Sequence, residues 1–475
     1  MSNKKAKNQL SKAAQRAKQN ARAAAKAEIL LPEQAGFLEA EGLERTYKFT
    51  QSAISEAVDE TSAHKIFSLN LNTFGPYALR YSNNGRHLLL GGRKGHIGSF
   101  DWQTGGLRCE MQLQETVRDV QFLHNETMFA VAQKRHVYLY NSRGEEINYL
   151  DKHIDPLRLE FLPYHFLLVS SSNSGLLRYH DVSVGSLVTQ LKTKLGPCHV
   201  MRQNRWNAVM HCGHTNGTVT LWTPNMSTPV VKQLCHKGAV AALTVEPTGH
   251  YMATAGADCM LKIWDIRKFK DEPVFSTRLP TAPSDLDYSQ RGLLGVSFGS
   301  SAQVWSTPHK TPATMPYMTH NTPGSPIHQL RFCPYEDVLG IGHAKGFASI
   351  LVPGAGEPNF DSLEANPYQT GKQRSESEVK QLLDKIPHHL IALDPHAILE
   401  LDKRSHEQRV QDRGGLVQEK FDPKHRKRGR SSTKNRYLRK QGQVMVERRQ
   451  AIRDRLKKEK AAAAGANDAA ASGTG

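Results

Sequence analysis

The sequence predicts an all-β fold: a seven-bladed β-propeller with basic, partly helical extensions at both ends. Two observations predict the ring, and a third predicts the extensions. Residues 65–353 hold short β-branched and aromatic runs broken by Gly, Asn, Asp, Ser and Pro. An end-of-strand signature recurs at Phe100-Asp101, Tyr140-Asn141, His180-Asp181, Trp222-Thr223, Trp264-Asp265, Trp305-Ser306 and Leu351-Val352. Its spacings of 40, 40, 42, 42, 41 and 46 residues are those of a four-stranded blade. Excess positive charge, the third observation, lies in residues 1–30 and 372–460.

The fifth unit, from Gly238 to Leu261-Lys262-Ile263-Trp264-Asp265, is the best preserved. It resembles a WD repeat. His236, Thr254, Asp258 and Trp264 stand where that repeat places its structural hydrogen-bond tetrad, which gives a buried indole N–H and a buried imidazole their partners. The other units have lost parts of it. Before the first unit lies a lone strand, Lys65–Leu71. A ring must join its ends, because an open sheet edge invites wrong pairing, so this strand is expected to complete the last blade.

Of the 475 residues, 63 are Lys or Arg and 45 Asp or Glu, for a net charge of +18. Residues 1–30 carry eight Lys/Arg and one Glu, and residues 372–460 carry 25 Lys/Arg and 13 Asp/Glu. Residues 31–371 sum to zero. A neutral body with two basic arms suits a polyanion, either nucleic acid or an anionic membrane. Membrane fits less well: no apolar run reaches the ~18 residues of a spanning helix. Nor does an apolar core follow Lys4, Lys5 and Lys7, as a secretory signal requires. Cys109, Cys198, Cys212, Cys235, Cys259 and Cys333 form no C-x-x-C and read as reduced thiols of the cytosol or nucleus.

The boundaries read as a basic arm and anchor (1–62), the propeller (63–353), a C-terminal extension (354–400), a basic tail (401–460) and a disordered end (461–475). Residues 4–27 have high helix propensity but no apolar stripe, and are expected to be a solvated arm that folds on a partner. Phe37, Leu38, Leu43, Tyr47 and Phe49 are expected to pack along the propeller or a neighbour. Ser375-Glu376-Ser377-Glu378 reads as a capping box. It would open a helix with apolar Val379, Leu382, Leu383 and Ile386, stopped before Pro387. Asp394-Pro395 would start a second short helix. Residues 444–460 look helical and charged.

Candidate chemistry is thin. Gly295-Val296-Ser297-Phe298-Gly299 matches a nucleophile-elbow pattern, but it aligns with the interior of a blade and no helix follows. Cys198, His199, His211, Cys212 and His214 are metal-type ligands, yet His211 and Cys212 would point to opposite faces of one strand. Gly91–His96 lacks phosphate-loop spacing and falls at a hairpin turn. No catalytic residue, metal or cofactor is expected. Residues 424–440 hold nine Lys/Arg in seventeen positions. Lys424, Arg426, Lys427, Arg428, Arg430, Lys434, Arg436, Arg439 and Lys440 are candidate RNA-phosphate contacts, and Tyr437 could stack on a base. A nuclear-import signal and inert solvated charge are the other readings of this run.

The segment Gly36–Gly42 with Tyr47, the seven-unit body and above all Gly356–Asp394 resemble a nucleolar WD-repeat family of the small-subunit processome. These are U three small nucleolar RNA-associated propeller proteins with a BING-type C-terminal domain. The specific matches are Asn366-Pro367-Tyr368, Lys372-Gln373-Arg374, Leu382–Pro387, Leu393–Pro395 and, in the tail, Gly429–Lys440. Gly371 departs from the pattern, where a charged residue is expected. The resemblance implies a non-catalytic nucleolar scaffold needed for pre-rRNA processing. Its partners would be other processome proteins, WD propellers among them, together with pre-ribosomal RNA and a box C/D guide RNA. No membrane and no small-molecule substrate would be involved. Phe360, Asn366, Tyr368, Lys372, Arg374, Val379, Leu382, Leu383 and Ile386 are the expected docking residues, on a blade or a partner. A nuclear WD adaptor outside ribosome assembly, on chromatin or in a ubiquitin ligase, is the alternative.

Overall fold

A computed structural model describes residues 4–28, 36–269, 272–306, 315–395 and 433–471. Its centre is seven antiparallel four-stranded sheets. Blade one comprises Tyr77–Tyr81, His87–Gly92, His96–Asp101 and Gly106–Gln112, and the five blades that follow repeat this order between Asp119 and Asn321. Call the four strands of a blade A to D. The recurring signature read from the sequence sits at the end of strand C in all seven blades. The meander puts every A–B and C–D turn on one face of the ring and every B–C turn and D–A connection on the other.

Blade seven takes Ile327–Phe332, Val338–His343 and Gly346–Leu351 from the end of the ring, and Phe67–Asn70 from before its beginning. The lone strand therefore closes the ring as expected, with Phe67 opposite Ser349 and Asn70 opposite Gly346. Gly346 has a φ of +146°, and an added Cβ would stand 1.9 Å from the Leu69 carbonyl oxygen. The closing strand thus lies against a bare α-carbon. Phe67 and Phe347 pack at 5.6 Å across the seam, and the Ser349 hydroxyl donates to the Lys65 carbonyl at 2.7 Å.

The predicted tetrad forms in blade five. The His236 Nδ1–H donates to Asp258 at 3.0 Å, leaving Nε2 to accept from the Thr254 hydroxyl at 2.9 Å. The Trp264 indole donates to the same Thr254 oxygen at 2.9 Å. Degenerate blades rebuild the idea with other residues. In blade four Trp222 donates to Thr220, which donates to His214; in blade one the Trp102 indole donates to the Gly85 carbonyl. Ser297 is buried on strand B of blade six, where its hydroxyl accepts from the Asp285 N–H and donates to the Asp285 carbonyl. It is a bulge bridge, not an elbow. His211, Cys212 and His214 are all buried on one strand, and no group of three His, Cys, Asp or Glu among the described residues is placed to hold a metal.

Outside the ring are helices α1 (Lys4–Glu28), α2 (Gln51–Ala57), α3 (Glu60–Ala63), α4 (Gly371–Leu383) and α5 (Thr433–Ala471). The chain divides into two compact units, Met1–Glu400 and Leu401–Gly475. The anchor segment meets the expectation in part. Leu38 and Phe49 pack with the core of blades seven and one, while Phe37 is 71% exposed and Leu43 fully so. The contacts missed by pattern reading are polar. The Gln51 amide accepts from the Leu351 N–H and donates to its carbonyl, extending the ladder beyond the closing strand, and Ile54 is buried beneath. The helix expected over 444–460 spans Thr433–Ala471, so residues 461–471 of the expected disordered end are helical, and residues 472–475 lie outside the described residues. Alanine's high helix propensity accounts for the extension to Ala471.

Replacing Gly346 with alanine should lower the unfolding free energy by more than ~1 kcal/mol, read as a lowered thermal midpoint, because the closing strand must move. Gly106→Ala, which meets only the Thr104 hydroxyl at 3.4 Å, is the control and should change thermal unfolding little.

Candidate functional site

The site is a strap. After blade seven, residues 356–395 run back over the A–B and C–D turns and touch blades in ring order. At the start the Gly356 N–H donates to Asp337 at 2.8 Å and Phe360 packs edge-on to Tyr335 at 6.4 Å. Phe360 also meets Tyr368 at 6.3 Å, and Asn366 accepts from the Tyr368 N–H, closing a tight turn. Over blade one, Arg86 donates to the Pro367 carbonyl at 2.8 Å while pairing with Asp101 at 2.7 Å. Glu364 and the buried Ala365 line one mouth of the central channel, a cavity of about 310 Å³ shared with Arg80, Glu160, Arg202 and Arg331.

Helix α4 crosses blade two. The expected capping box is displaced: Thr370, not Ser375, is the cap, with Gln373 reciprocating. The S/T-x-x-E/Q spacing occurs twice, and the extended backbone at Thr370 supplies the cap geometry. Ser375 instead bonds back to the Gly371 carbonyl, and Glu378 accepts from His124 Nε2 at 3.0 Å. Arg374 pairs with Glu126 at 2.6 Å. The helix ends at Leu383, three residues before the expected stop at Ile386. On blade three the Ile386 N–H and carbonyl bond the Tyr164 carbonyl and His165 Nδ1, both at 2.9 Å, and Lys385 pairs with Asp181. On blade four Asn225 donates to the His389 and Ile391 carbonyls, Asn207 donates to Leu393, and Ile391 is buried. The second helix expected from Asp394-Pro395 extends beyond the described residues.

The strap is electrostatically set. Burial pushes the Glu126 carboxyl up, but hydrogen bonds, Arg374 among them, and the neighbouring His87 outweigh it and leave it below the usual glutamate value. Asp181 behaves alike: burial opposes, while Lys385 and Ser183 prevail and lower it. His87, beside Glu126, is driven down to about 4 by burial first and the Arg108 guanidinium second.

Of the expected docking residues, Phe360, Asn366 and Arg374 hold the strap to the ring or to itself. Val379, Leu382, Leu383 and Ile386 do not bury against a blade: they are 56, 42, 80 and 40% exposed. Tyr368 and Lys372 are exposed as well. The helix docks by its polar edge, so its apolar stripe faces away. Pattern reading missed Glu364, Glu378, Lys385 and Ile391, because polar clasps and a single buried isoleucine leave no periodic signal. In the second unit, Lys434, Arg436, Tyr437, Arg439 and Lys440 lie on α5, with Tyr437, Arg439 and Lys440 exposed. Lys424, Arg426, Lys427, Arg428 and Arg430 fall outside the described residues.

Two family profiles match the chain, one of them over the strap. The BING4CT (NUC141) domain profile matches residues 316–394, which hold the last strand of blade six, three of the four strands of blade seven and nearly all of the strap. The WD domain, G-beta repeat profile matches 227–265, from the last strand of blade four through the third strand of the blade with the intact tetrad. Human WD repeat-containing protein 46 is 48% identical over 445 residues, covering 92% of this chain and 73% of that protein. U3 small nucleolar RNA-associated protein 7 of Saccharomyces cerevisiae is 43% identical over 470 residues, covering 92% and 84%. The Caenorhabditis elegans WD repeat-containing protein 46 is 45% identical over 447 residues. The chain belongs to this family. Its hallmark segment is therefore not an appendage: it begins inside the ring, includes the blade that closes it, and ends where the strap reaches blade four.

Glu126→Ala should free Arg374 and cost about 1–2 kcal/mol of strap docking, discounted for the partly exposed guanidinium. Limited proteolysis within 371–386 should accelerate several-fold while the propeller stays resistant. Because Glu126 and Asp181 are depressed below 4.5 and 3.8, their stabilisation is complete above about pH 4.5 and is lost as pH falls through the lowered values. Wild-type strap cleavage by an acid protease should rise over that descent, and less so in the variant.

Proposed function

We propose that this chain is a non-catalytic scaffold of the small-subunit processome, acting in the nucleolus in pre-rRNA processing. The observation that carries this reading is similarity over 92% of the chain, strap included, to a protein named for association with the U3 small nucleolar RNA. A rigid ring with chain threaded over it offers protein partners several surfaces, and the basic arms offer RNA a polyanion-binding one.

The partner-facing surface is the outward edge of α4. Val379, Leu382 and Leu383 form its exposed apolar stripe, held at fixed orientation by Arg374 and Glu378 on the inner edge, and Ile386, just past the helix end, is exposed as well. Tyr368 and Lys372 flank the stripe. A preoriented apolar stripe beside an aromatic side chain suits another processome protein, a WD propeller being the natural kind. The RNA-facing surface is the tail. Lys424, Arg426, Lys427, Arg428, Arg430, Lys434, Arg436, Arg439 and Lys440 neutralise phosphate, and Tyr437 stacks on an unpaired base.

Depleting the protein should reduce small-subunit rRNA and spare the large subunit; equal loss of both would count against the processome role. Replacing Lys424, Arg426, Lys427, Arg428 and Arg430 with Gln should weaken RNA crosslinking and reduce the salt-dependence slope by ~3, at about 0.7 per single-strand phosphate contact. An unchanged slope would remove RNA from the tail's role.

A further inference from the structure

We propose that the face of the propeller opposite the strap is a second RNA-backbone site, centred on the open mouth of the channel. The proposal rests on the RNA reading above but not on the tail. Both flanking segments run over the A–B and C–D turns: the strap as described, and the anchor through Leu38 on Tyr317 and Gln51 on Leu351. The B–C and D–A side is left uncovered by them.

That side is basic. Arg93, Arg118, Arg158, His199 and His328 line a cavity of about 240 Å³ at the mouth. Among the described residues, Arg93 is exposed and has no carboxylate partner, and Arg158 donates only to the His199 carbonyl, at 3.0 Å. Burial and Arg158 lower both histidines, so the arginines supply the charge. Around the rim, Arg135, Lys194, Lys237 and Lys345 are exposed, one on each of four blades' turns or connections, and form no ion pair among the described residues. The acids nearby are mostly engaged: Asp155 with Arg118, and Asp258 with His236. Glu115 and Asp151 remain, too few to balance the surface.

The chemistry separates RNA from an acidic protein. Protein interfaces centre on apolar and aromatic anchors in desolvated pockets. Among the described residues of these turns and connections, Ile154 is the one large apolar side chain counted as exposed. Dispersed Lys and Arg around a shallow depression floored by Pro76, Ala78, Val117 and Leu157 suit a flexible chain of phosphates, which needs charge and no pocket.

The test uses the full chain in four forms: wild type, a face variant (Arg93→Glu, Arg135→Glu, Lys194→Glu), the tail variant of the preceding section, and their combination. Binding is read against a single-stranded RNA of about 16 nucleotides, the upper site size of common single-strand folds, with polyglutamate as competitor. The face variant should bind roughly tenfold to hundredfold more weakly at ~0.1 M salt, the tail variant should retain binding, and the combination should lose it. Arg93→Gln, Arg135→Gln and Lys194→Gln, with an unchanged unfolding midpoint, should show a smaller loss in the same direction. A face variant binding like wild type, or a tail variant that binds no RNA, overturns the face site and leaves the tail reading intact. A face variant that loses binding while the tail variant loses none supports the face and removes the tail. Wild type that binds no RNA sinks both, and polyglutamate captured as tightly as RNA replaces RNA with an acidic protein.

Discussion

Ring closure by a strand from before the ring is the constraint on which the rest of the molecule depends. Phe67–Asn70 can reach Gly346–Ser349 only if all seven blades have formed and curved back, so the final pairing couples every blade to its neighbours. The same event sets the flanks. The chain entering the closing strand must come from the anchor segment, and the chain leaving blade seven emerges beside it. Both flanks therefore start at one seam, with Lys65 paired to Glu336 at 2.6 Å across it. The strap's course over blades one to four follows from where the ring was closed.

Inside the ring a second tie works across the channel. Arg80 and Arg202 share Glu160, and Arg202 and Arg331 share Asp285, at 2.7 to 3.2 Å. The links join blades one, three, four, six and seven. Burial costs these ions hydration, and the mutual pairing offsets it: Glu160 stays below the usual value although burial pushes it up. Losing one member would leave a buried charge alone. The network fixes the relative rotation of blades whose apolar contacts are otherwise with adjacent blades only.

The ring was legible because its signals are periodic. A strand-C ending every forty-odd residues survives the loss of the tetrad in most blades, and the orphan strand followed from the cost of an open edge. The tetrad itself could be read from His236, Thr254, Asp258 and Trp264 because those residues recur in fixed order. The strap could be read as important but not as geometry. Its apolar pattern at Val379, Leu382, Leu383 and Ile386 suggested a buried face, whereas Arg374, Glu378 and Lys385 made the docking contacts. Apolar periodicity reports which face of a helix is greasy; it says nothing of whether that face is turned toward its own domain. The displaced cap has a similar cause, since Thr370–Gln373 and Ser375–Glu378 satisfy the same spacing and backbone conformation chooses between them.

Net charge hid a further property. Residues 31–371 sum to zero, but the sum conceals a separation between faces. On the strapped side, Asp101, Glu126, Asp181 and Asp337 are engaged by Arg86, Arg374, Lys385 and the Gly356 N–H, three of these four partners belonging to the strap. On the open side Arg93, Arg135, Lys194, Lys237 and Lys345 have no such partners among the described residues. A strap that consumes the acids of one face leaves the bases of the other as the field that solution meets. Neutrality over a domain is thus no evidence against a polyanion site on it: the quantity that matters is the charge left unpaired on a face, and that is fixed only once the fold decides which side each turn occupies.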